Sequence, residues 1–539
     1  MKKFLLSLFT LLTPLLTFAQ EASEIGLDEK IDQWFGSATG WFVNAIFYQI
    51  PFSDTVSVYW VLFPLIIGAT YFTFYFRLIN FTGFGKSINI VRGKYDDLEG
   101  HGDDAIEVAK GVHTSAEGDN PDTARVEGHD GEVSHFQALT AALSATVGLG
   151  NIAGVAIAVT IGGAGATFWM IVAGLLGMAS KFVECTLGVK YRDIGPDGTV
   201  YGGPMYYLTK GLKSKGLGGL GKVLAVLFAI FVIGGSFGGG NMFQVNQAFQ
   251  LVESITGGEN SFLHERGWLF GLVMAVFVGI VIIGGIKKIA KVTDKIVPFM
   301  VVIYVAASLF VLIAKYDMIG DAFMQIFNGA FSPMGIAGGA VGVLIQGFRR
   351  AAFSNEAGIG SASIAHAAVR TKFPASEGMV ALLEPFIDTV VVCTMTALVL
   401  IITGSLTGTG PANDAEAILM TSGAFASVIS WFPYVLTVAV VLFAFSTMIS
   451  WSYYGFQGWA YLFGRTKKME YTYKLLFCVF VVIGAAASLN SVINFSDAMI
   501  FAMMVPNMIG LVILAPKVKE ELNKYLAAMK DSKAAKKAA

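Results

Sequence analysis

Long apolar stretches alternate with short polar connections along this chain. A helix needs roughly 20 apolar residues to cross a bilayer, and eleven stretches meet that requirement. They are 56–76, 136–161, 168–189, 223–249, 268–286, 292–314, 335–369, 379–403, 428–463, 471–487 and 492–515. The seventh and ninth are longer than a crossing requires, so we expect them to tilt, break or extend beyond the bilayer. The pattern predicts an all-α polytopic membrane protein with about eleven transmembrane helices.

Charges in the polar connections orient these helices. With the N-terminus outside, every connection after an odd-numbered span carries bases, among them Lys190, Lys287 and Arg370, and the opposite connections carry acids such as Glu259 and Asp317. Cytoplasmic loops are the ones that are rich in Lys and Arg. We therefore expect a bacterial inner-membrane protein with a periplasmic N-terminus and a cytoplasmic C-terminus.

The two ends and one long connection lie outside the spans. Lys2 and Lys3 precede a short apolar run, which is typical of a signal peptide. The acidic, glycine-rich stretch 96–132 reads as a solvated linker, and its role stays open. The predicted organisation is a signal peptide at 1–19, a periplasmic segment at 20–55, the first helix and acidic cytoplasmic loop at 56–134, two five-helix blocks at 135–314 and 315–515, and a cytoplasmic tail at 516–539.

Composition supports a membrane protein and argues against nucleic-acid binding and against a cysteine metal site. Hydrophobic residues make up 55% of the chain and charged residues 14%, whereas soluble proteins average about 25% charged residues. A formal net charge of −1 argues against nucleic acid as a partner. The three cysteines lie in apolar stretches without metal-site spacing, so we expect core residues and no cofactor.

Spans 2 and 7 share a polar, glycine-containing motif. Residues 148–151 read Gly-Leu-Gly-Asn, and residues 358–361 read Gly-Ile-Gly-Ser. Each motif begins a block of five spans, and an odd number of spans places the two blocks in opposite orientations. Glycine-interrupted spans at matching positions indicate discontinuous helices around a midplane binding site. Close packing of small residues explains part of the pattern, but not the polar Asn151 and Asn355. No Walker lysine follows, which excludes a phosphate loop.

A helix break leaves backbone N–H and C=O groups without hydrogen-bond partners in the helix. Within a membrane such groups are tolerated only where they line a cavity. The N-terminus of a half-helix favours a carboxylate, and its C-terminal carbonyls favour a cation. The two motifs therefore predict a site for a ligand that carries a carboxylate, together with a cation.

Spans 4 and 9 also carry polar side chains that could bind a ligand. In span 4, Asn241 and Gln244 share a helix face; interhelical amide hydrogen bonds are the alternative. In span 9, Ser446 and Ser450 align with Thr447 beside them and offer oxygens to a monovalent cation, although such hydroxyls often bond their own helix.

Acidic and basic residues inside the spans have a different interpretation. We expect them to form structural or gating ion pairs rather than a proton relay, and His366 to lie at a helix end. They are Glu184, Arg349, Arg350, Glu356, Glu384 and Asp388.

In combination, these motifs resemble one known family. The stretches 136–139, 147–156, 162–170, 353–362 and 443–447 resemble the alanine or glycine:cation symporters, within a match that runs from 56 to about 515. One departure is Ile171, where that family commonly has a second Trp. The resemblance implies a leucine-transporter-type 5+5 inverted repeat with one extra N-terminal helix. It also implies a secondary active transporter that imports L- or D-alanine or glycine by sodium symport with alternating access.

The resemblance also implies a set of site residues. Expected substrate-binding residues are Thr146, Gly148, Leu149, Gly150, Asn151, Asn241, Phe243, Gln244, Phe353, Ser354, Asn355 and Trp451. Expected sodium ligands are Thr146, Val147, Ser446, Thr447 and Ser450. The partners would be a small amino acid, Na⁺ and the lipid bilayer, with the protein acting as a monomer and not as an enzyme.

Three rival functions make different demands on the sequence. A proton-coupled symporter of the same fold would place a Lys or an acid where Ser446 and Thr447 stand. A facilitative channel would need rings of polar side chains, and no span shows such a stripe. A membrane enzyme would need a nucleophile–base or metal motif, and the sequence has none. Alanine or glycine, L or D, and sodium or proton remain open.

Overall fold

The computed structural model describes residues 27–51, 57–99, 133–195, 199–331, 339–406 and 416–538. The predicted signal peptide and residues 100–132 of the acidic stretch lie outside the described residues. Apart from two short hairpins, the described chain is built from helices.

The N-terminal region packs against the end of the chain. It contains α1 (Leu27–Ile46), an antiparallel hairpin of β1 (Gln49–Pro51) and β2 (Ser57–Tyr59), α2 (Leu62–Tyr75), α3 (Ile79–Thr82), α4 (Phe84–Val91) and α5 (Asp96–Glu99). The hairpin takes up the first residues of predicted span 1, so that its helix begins at Leu62. Phe47, between α1 and β1, contacts Phe501 with ring centroids 5.8 Å apart.

The first predicted block contains α6 (His135–Thr146), α7 (Ala153–Gly162), α8 (Ala166–Lys190), strands β3 (Asp193–Ile194) and β4 (Val200–Tyr201), α9 (Pro204–Tyr206), α10 (Gly218–Ile255), α11 (Gly267–Ile282) and α12 (Gly285–Ala314). The second block contains α13 (Ile319–Ala330), α14 (Gly339–Asn355), α15 (Ala362–His366), α16 (Pro374–Ile402), α17 (Glu416–Ala426), α18 (Phe432–Phe463), α19 (Lys467–Ala486) and α20 (Leu489–Ala538). Residues 516–538, expected as a separate tail, continue α20.

The predicted all-α membrane class is confirmed, and the exact number of spans stays a prediction. Within the described residues, seven helices are long and apolar enough to cross a membrane, and the bent pair α6 and α7 makes eight. Each of the eleven predicted stretches contains a helix, but those in spans 1, 5 and 7 are shorter than this criterion.

The apolar surface of the molecule points outward on its peripheral helices. Only 33% of the most apolar window of α12 is buried, against 72% of that of α20. Phe299, Val302 and Ile313 of α12 are all exposed. Such a continuous apolar exterior is what a lipid-facing helix requires.

Short π-helical turns interrupt two long helices where other helices approach closely. In α10 the turn is Gly238–Met242, and in α16 it is Phe386–Cys393. A side-chain carbon at Gly239 would lie 2.7 Å from Ile500 of α20, and one at Gly240 would overlap the Trp451 indole of α18. The glycines therefore let α18 and α20 approach α10 from two sides. Single π turns are frequently found at functional sites.

Candidate functional site

The first break lies between α6 and α7, whose axes differ in direction by 56°. Val147 leaves the helix with an extended ψ of 97°, and Gly148 is extended at φ −159° and ψ −144°. A 3₁₀ turn, Leu149–Asn151, then leads into α7. The Asn151 side chain accepts from the Gly148 N–H at 2.8 Å and fixes this turn. The C-terminal end of α6 and the N-terminal end of α7 thus meet inside the protein.

The second break separates α14 from α15. Glu356, Gly358 and Gly360 all have positive φ, at 55°, 82° and 101°. Glycine adopts this conformation without strain, whereas a glutamate does so at a cost. The Glu356 carboxylate accepts from the Ser361 hydroxyl across the break. The sequence motif therefore marks a real interruption of the helix.

One carboxylate joins the two breaks. Asp388, in the π turn of α16, accepts from the Asn151 amide at 2.6 Å and from the Ser354 hydroxyl at 2.7 Å. Thr389 also donates to it, at 2.7 Å. All of these side chains are buried. A carboxylate buried with this many donors fixes the relative position of the groups that bind it.

A small cavity lies between the breaks, α10, α18 and α20. Its lining residues are Ala145, Thr146, Gly150, Gly239, Gln244, Phe353, Glu356, Trp451 and Ile500. The space open to the centre of a water molecule is about 10 Å³, room for about one water. The Gln244 amide donates to the Gly239 carbonyl at 2.9 Å, while its carbonyl oxygen has no hydrogen-bond donor among the described residues. The cavity thus presents a buried acceptor beside aromatic walls.

Hydroxyl groups connect α6 to α18 next to this cavity. Thr447 donates to the Ser144 carbonyl at 2.9 Å, and Ser450 donates to the Ser144 hydroxyl at 3.0 Å. Ser144 in turn donates to the Ser446 carbonyl at 3.0 Å. The cluster gathers hydroxyl and carbonyl oxygens at the C-terminal end of a half-helix, where partial negative charge favours a cation.

Ion pairs join α14 to α20 next to the N-terminal hairpin. Asp497 of α20 accepts from Arg349 at 2.8 Å and from Arg350 at 2.7 Å, both in the C-terminal half of α14. The Arg349 guanidinium also lies over the rings of Phe47 and Tyr59, at 4.7 and 5.5 Å. Both arginines are therefore ion-paired, and Tyr59 of the N-terminal hairpin lies against Arg349. A gating role for these pairs stays a prediction.

In the predicted cytoplasmic connection after span 3, the β3–β4 hairpin is tied to the end of α18. Asp193 accepts from Lys210 at 2.8 Å and from Arg465 at 2.9 Å. Partial burial alone would raise the pKa of Asp193, but these two hydrogen bonds and charges hold it below its ordinary value. Asp193 therefore remains ionised and paired at neutral pH.

Comparison with known proteins identifies the family. The family model described as "Sodium:alanine symporter family" matches residues 42–539. The chain belongs to the sodium:alanine symporter family. It is 43% identical over 400 residues to the sodium/alanine symporter AgcS of Methanococcus maripaludis, covering 74% of this chain and 85% of that protein. It is 33% identical over 392 residues to the amino-acid carrier protein AlsT of Bacillus subtilis, covering 72% and 79%.

Among solved structures, MhsT in complex with L-phenylalanine aligns at a TM-score of 0.49 and 15% identity, over 74% of this chain and 99% of that chain. The inverted repeat stays a prediction, which the matching positions of the two breaks support.

The expected substrate residues of this family member fall into two groups. Thr146, Gly150, Gln244, Phe353 and Trp451 line the cavity. The others are not among its lining residues. Asn151 and Ser354 bind Asp388, Asn355 donates to Thr389, and Gly148 and Leu149 are buried in the turn. In α10, Phe243 packs edge-on against Phe353, and Asn241 donates to the Phe477 carbonyl.

The expected sodium ligands lie close together at the junction of α6 and α18. Thr447 and Ser450 donate to Ser144 at the end of α6, and the Ser446 carbonyl accepts from it. The Ser446 hydroxyl donates to the Phe443 carbonyl, one turn earlier in α18. The Thr146 hydroxyl bonds back to the Ala142 carbonyl at 3.3 Å, and Val147 is the first residue past the helix. Their role as ligands remains a prediction.

The site contains residues that sequence reasoning did not assign to it. Ser144 sits one helical turn before Gly148 and carries the same hydroxyl signal as Ser446. Gly239 lies two residues before Asn241, and Glu356 lies two residues before the glycine motif of span 7, so the neighbouring residues indicated their position. Ala145 and Ile500 are apolar residues in apolar helices, so no sequence signal marked them.

Proposed function

We propose that this family member imports alanine or glycine by sodium symport, with alternating access to the cavity between the two helix breaks. The observation that carries the proposal is the position of the cavity. It lies between a half-helix N-terminus, an unsatisfied amide oxygen and a cluster of hydroxyls. The protein would act as a monomer in a bacterial inner membrane.

Each part of an amino-acid zwitterion has a matching group around the cavity. The carboxylate would lie near Gly150, in the turn that leads into α7, because the N-terminal end of a helix favours an anion. The ammonium would donate to the Gln244 oxygen, which is buried and has no other donor within the described part of the chain. The side chain would face Phe353, Trp451 and Ile500. These three large side chains leave room only for a small substituent, which supports alanine or glycine.

The oxygen cluster supports sodium as the coupled ion. Hard cations prefer oxygen ligands, and Thr447 and Ser450 bring hydroxyls to the α6 end, while Ser446 brings its carbonyl. A zwitterion gains nothing from the membrane potential, whereas one co-moving cation gains about 2.3 kcal/mol per 100 mV. Accumulation of the substrate therefore requires the ion.

The cavity must enlarge during transport, since about 10 Å³ is open to a water centre. Asp497 lies near the start of predicted span 11, which begins on the predicted periplasmic side, and the β3–β4 hairpin lies in the predicted cytoplasmic connection after span 3. Alternate release of these two sets of contacts would expose the cavity to each side in turn.

Uptake of radiolabelled alanine by proteoliposomes tests the proposal. We expect concentrative uptake with an inward sodium gradient and none with potassium alone. A buried acid, Glu356, also lines the cavity, so an inward proton gradient without sodium is the second arm. Uptake that follows protons and ignores sodium would make the protein a proton-coupled symporter. No uptake under either gradient would contradict the proposed substrate.

A further inference from the structure

Five buried charged residues form a continuous chain near the predicted cytoplasmic end. His135 contacts Glu377, Glu377 contacts His366, His366 contacts Glu384, and the Glu384 carboxylate lies 3.0 Å from the Lys181 ammonium. We call this set the buried ion-pair chain. Four members have fully buried side chains, and His135 is 7% exposed at the outer end.

The protonation of the chain follows from its contacts. Both ring nitrogens of His366 face carboxylate oxygens, Nδ1 that of Glu377 and Nε2 that of Glu384. A histidine donates from both nitrogens only as an imidazolium. The chain then alternates in sign from Lys181 to Glu377, and a positive His135 completes the alternation. Removing one partner of such a buried pair is costly, because the other charge is left uncompensated.

A metal ion is a poorer occupant of this place. Cys185, His366 and Glu384 each present a ligand atom within 4.8 Å of the others. However, both nitrogens of His366 already contact carboxylates, and the Lys181 ammonium lies beside Glu384. A divalent cation would have to displace protons next to an existing positive charge. The geometry therefore favours ion pairs.

The chain joins helices that contribute to the breaks. Lys181 belongs to α8, Glu377 and Glu384 to α16, His366 to α15, and His135 is the first residue of α6. α6 is only 12 residues long and is held at its far end by the hydroxyl contacts to α18. Its two ends are thus fastened by different chemistry: a charged pair near the surface and oxygen contacts at the expected sodium site.

We propose that His135 is a positioning residue for the transport cycle, and that its pair with Glu377 latches α6 in the closed arrangement. Release of the latch lets the half-helix move away from α16 and opens the cavity toward the predicted cytoplasm. This inference rests on the proposed function. Loss of the ion from the hydroxyl cluster would loosen the other end of the same half-helix, so both fastenings control one moving part.

Hydrogen–deuterium exchange of the full-length protein in detergent tests the latch directly. We expect His135→Gln to speed exchange of the peptide 139–146 at least about tenfold, because local opening sets the exchange rate. His135→Lys keeps a positive charge beside Glu377 and should return exchange to within about threefold of the wild type. A purely structural role for the imidazole would not be restored by lysine.

His264→Gln is the matched control, since His264 pairs with Glu253 at 2.8 Å on an exposed connection away from α6. It should leave exchange in 139–146 unchanged. Unchanged exchange in His135→Gln, or no restoration by lysine, would overturn the latch. If His135→Gln fails to fold, Glu377→Gln is measured in its place with the same expected increase. Exchange requires neither substrate nor gradient, so failure of the latch and failure of alanine transport are read separately.

Discussion

The Trp451 indole owes its position in the cavity wall to a missing side chain opposite it. A methyl group at Gly240 would overlap the indole, and Trp451 is itself 1% exposed and packed against Tyr454 at 5.3 Å. A side chain at position 240 would therefore have to displace the indole. The size of the cavity is therefore set by one glycine as much as by the tryptophan.

Gly240→Ala should weaken the apparent affinity for alanine at least about tenfold, because overpacking forces neighbouring side chains to shift at a cost of about 1–3 kcal/mol. Alanine uptake as a function of concentration measures this change. Gly154→Ala is the control, since nothing lies within 4 Å of the added carbon, and it should behave as the wild type. An affinity in Gly240→Ala equal to that of the control would contradict the close fit.

Hydroxyl and amide residues were easier to predict than apolar ones at this scale. The Ser450 hydroxyl and the Ser446 carbonyl both contact Ser144 of α6. The Ser446 hydroxyl instead donates to the Phe443 carbonyl of its own helix, which was the alternative for such residues. Asn241 carries an equally strong signal, yet it donates to the Phe477 carbonyl of α19. Ser450 and Asn241 are both polar residues in apolar helices. Whether such a residue lies at the expected site or bonds a neighbouring helix depends on where the other helices lie, which the sequence pattern does not show.

Among the elements, α16 connects the two helix breaks. Asn151 of the first break and Ser354 of the second both donate to Asp388. Glycine motifs predicted the breaks because helix interruption has a local cause. The Asp388 contact was not predicted, because it depends on a π turn in α16 that brings residues 34 and 237 positions apart together.

Asp388→Asn should reduce alanine uptake at least about tenfold, since an amide NH₂ would face donors and leave buried groups unsatisfied at about 1–3 kcal/mol each. We also expect a lower thermal unfolding midpoint in detergent. Asp317→Asn, on an exposed connection, is the control and should change neither quantity. Uptake by Asp388→Asn within twofold of that of Asp317→Asn, a margin of about 0.4 kcal/mol, would rule out this role.

For the whole molecule, the apolar pattern predicted the class and the helix positions better than the helix ends. The helix in span 1 starts late because residues 57–59 pair in a hairpin, and α20 continues far past the predicted span. Strand pairing and helix continuation outside a bilayer depend on contacts with the rest of the protein. Hydropathy alone carries no information about them.

The predicted odd number of spans would place the two chain ends on opposite sides of the membrane. We therefore expect a fluorescent protein fused to the C-terminus to fluoresce in cells, and alkaline phosphatase fused at the same place to be inactive. A fusion after Lys315, in a predicted periplasmic connection, should give the reverse result. Active phosphatase at the C-terminus would mean an even number of spans, or the opposite orientation.

Sodium and the amino acid are proposed to bind together at the junction of the two breaks. Isothermal titration of alanine into purified protein, in sodium and then in potassium, measures the coupling. We expect sodium to tighten alanine binding by at least about fivefold, the lower end of ordinary coupling between sites. Replacing Ser446 and Thr447 together by Ala should abolish this difference while weak alanine binding remains. Equal affinity in sodium and potassium for the wild type, or full sodium dependence in the double variant, would contradict the account.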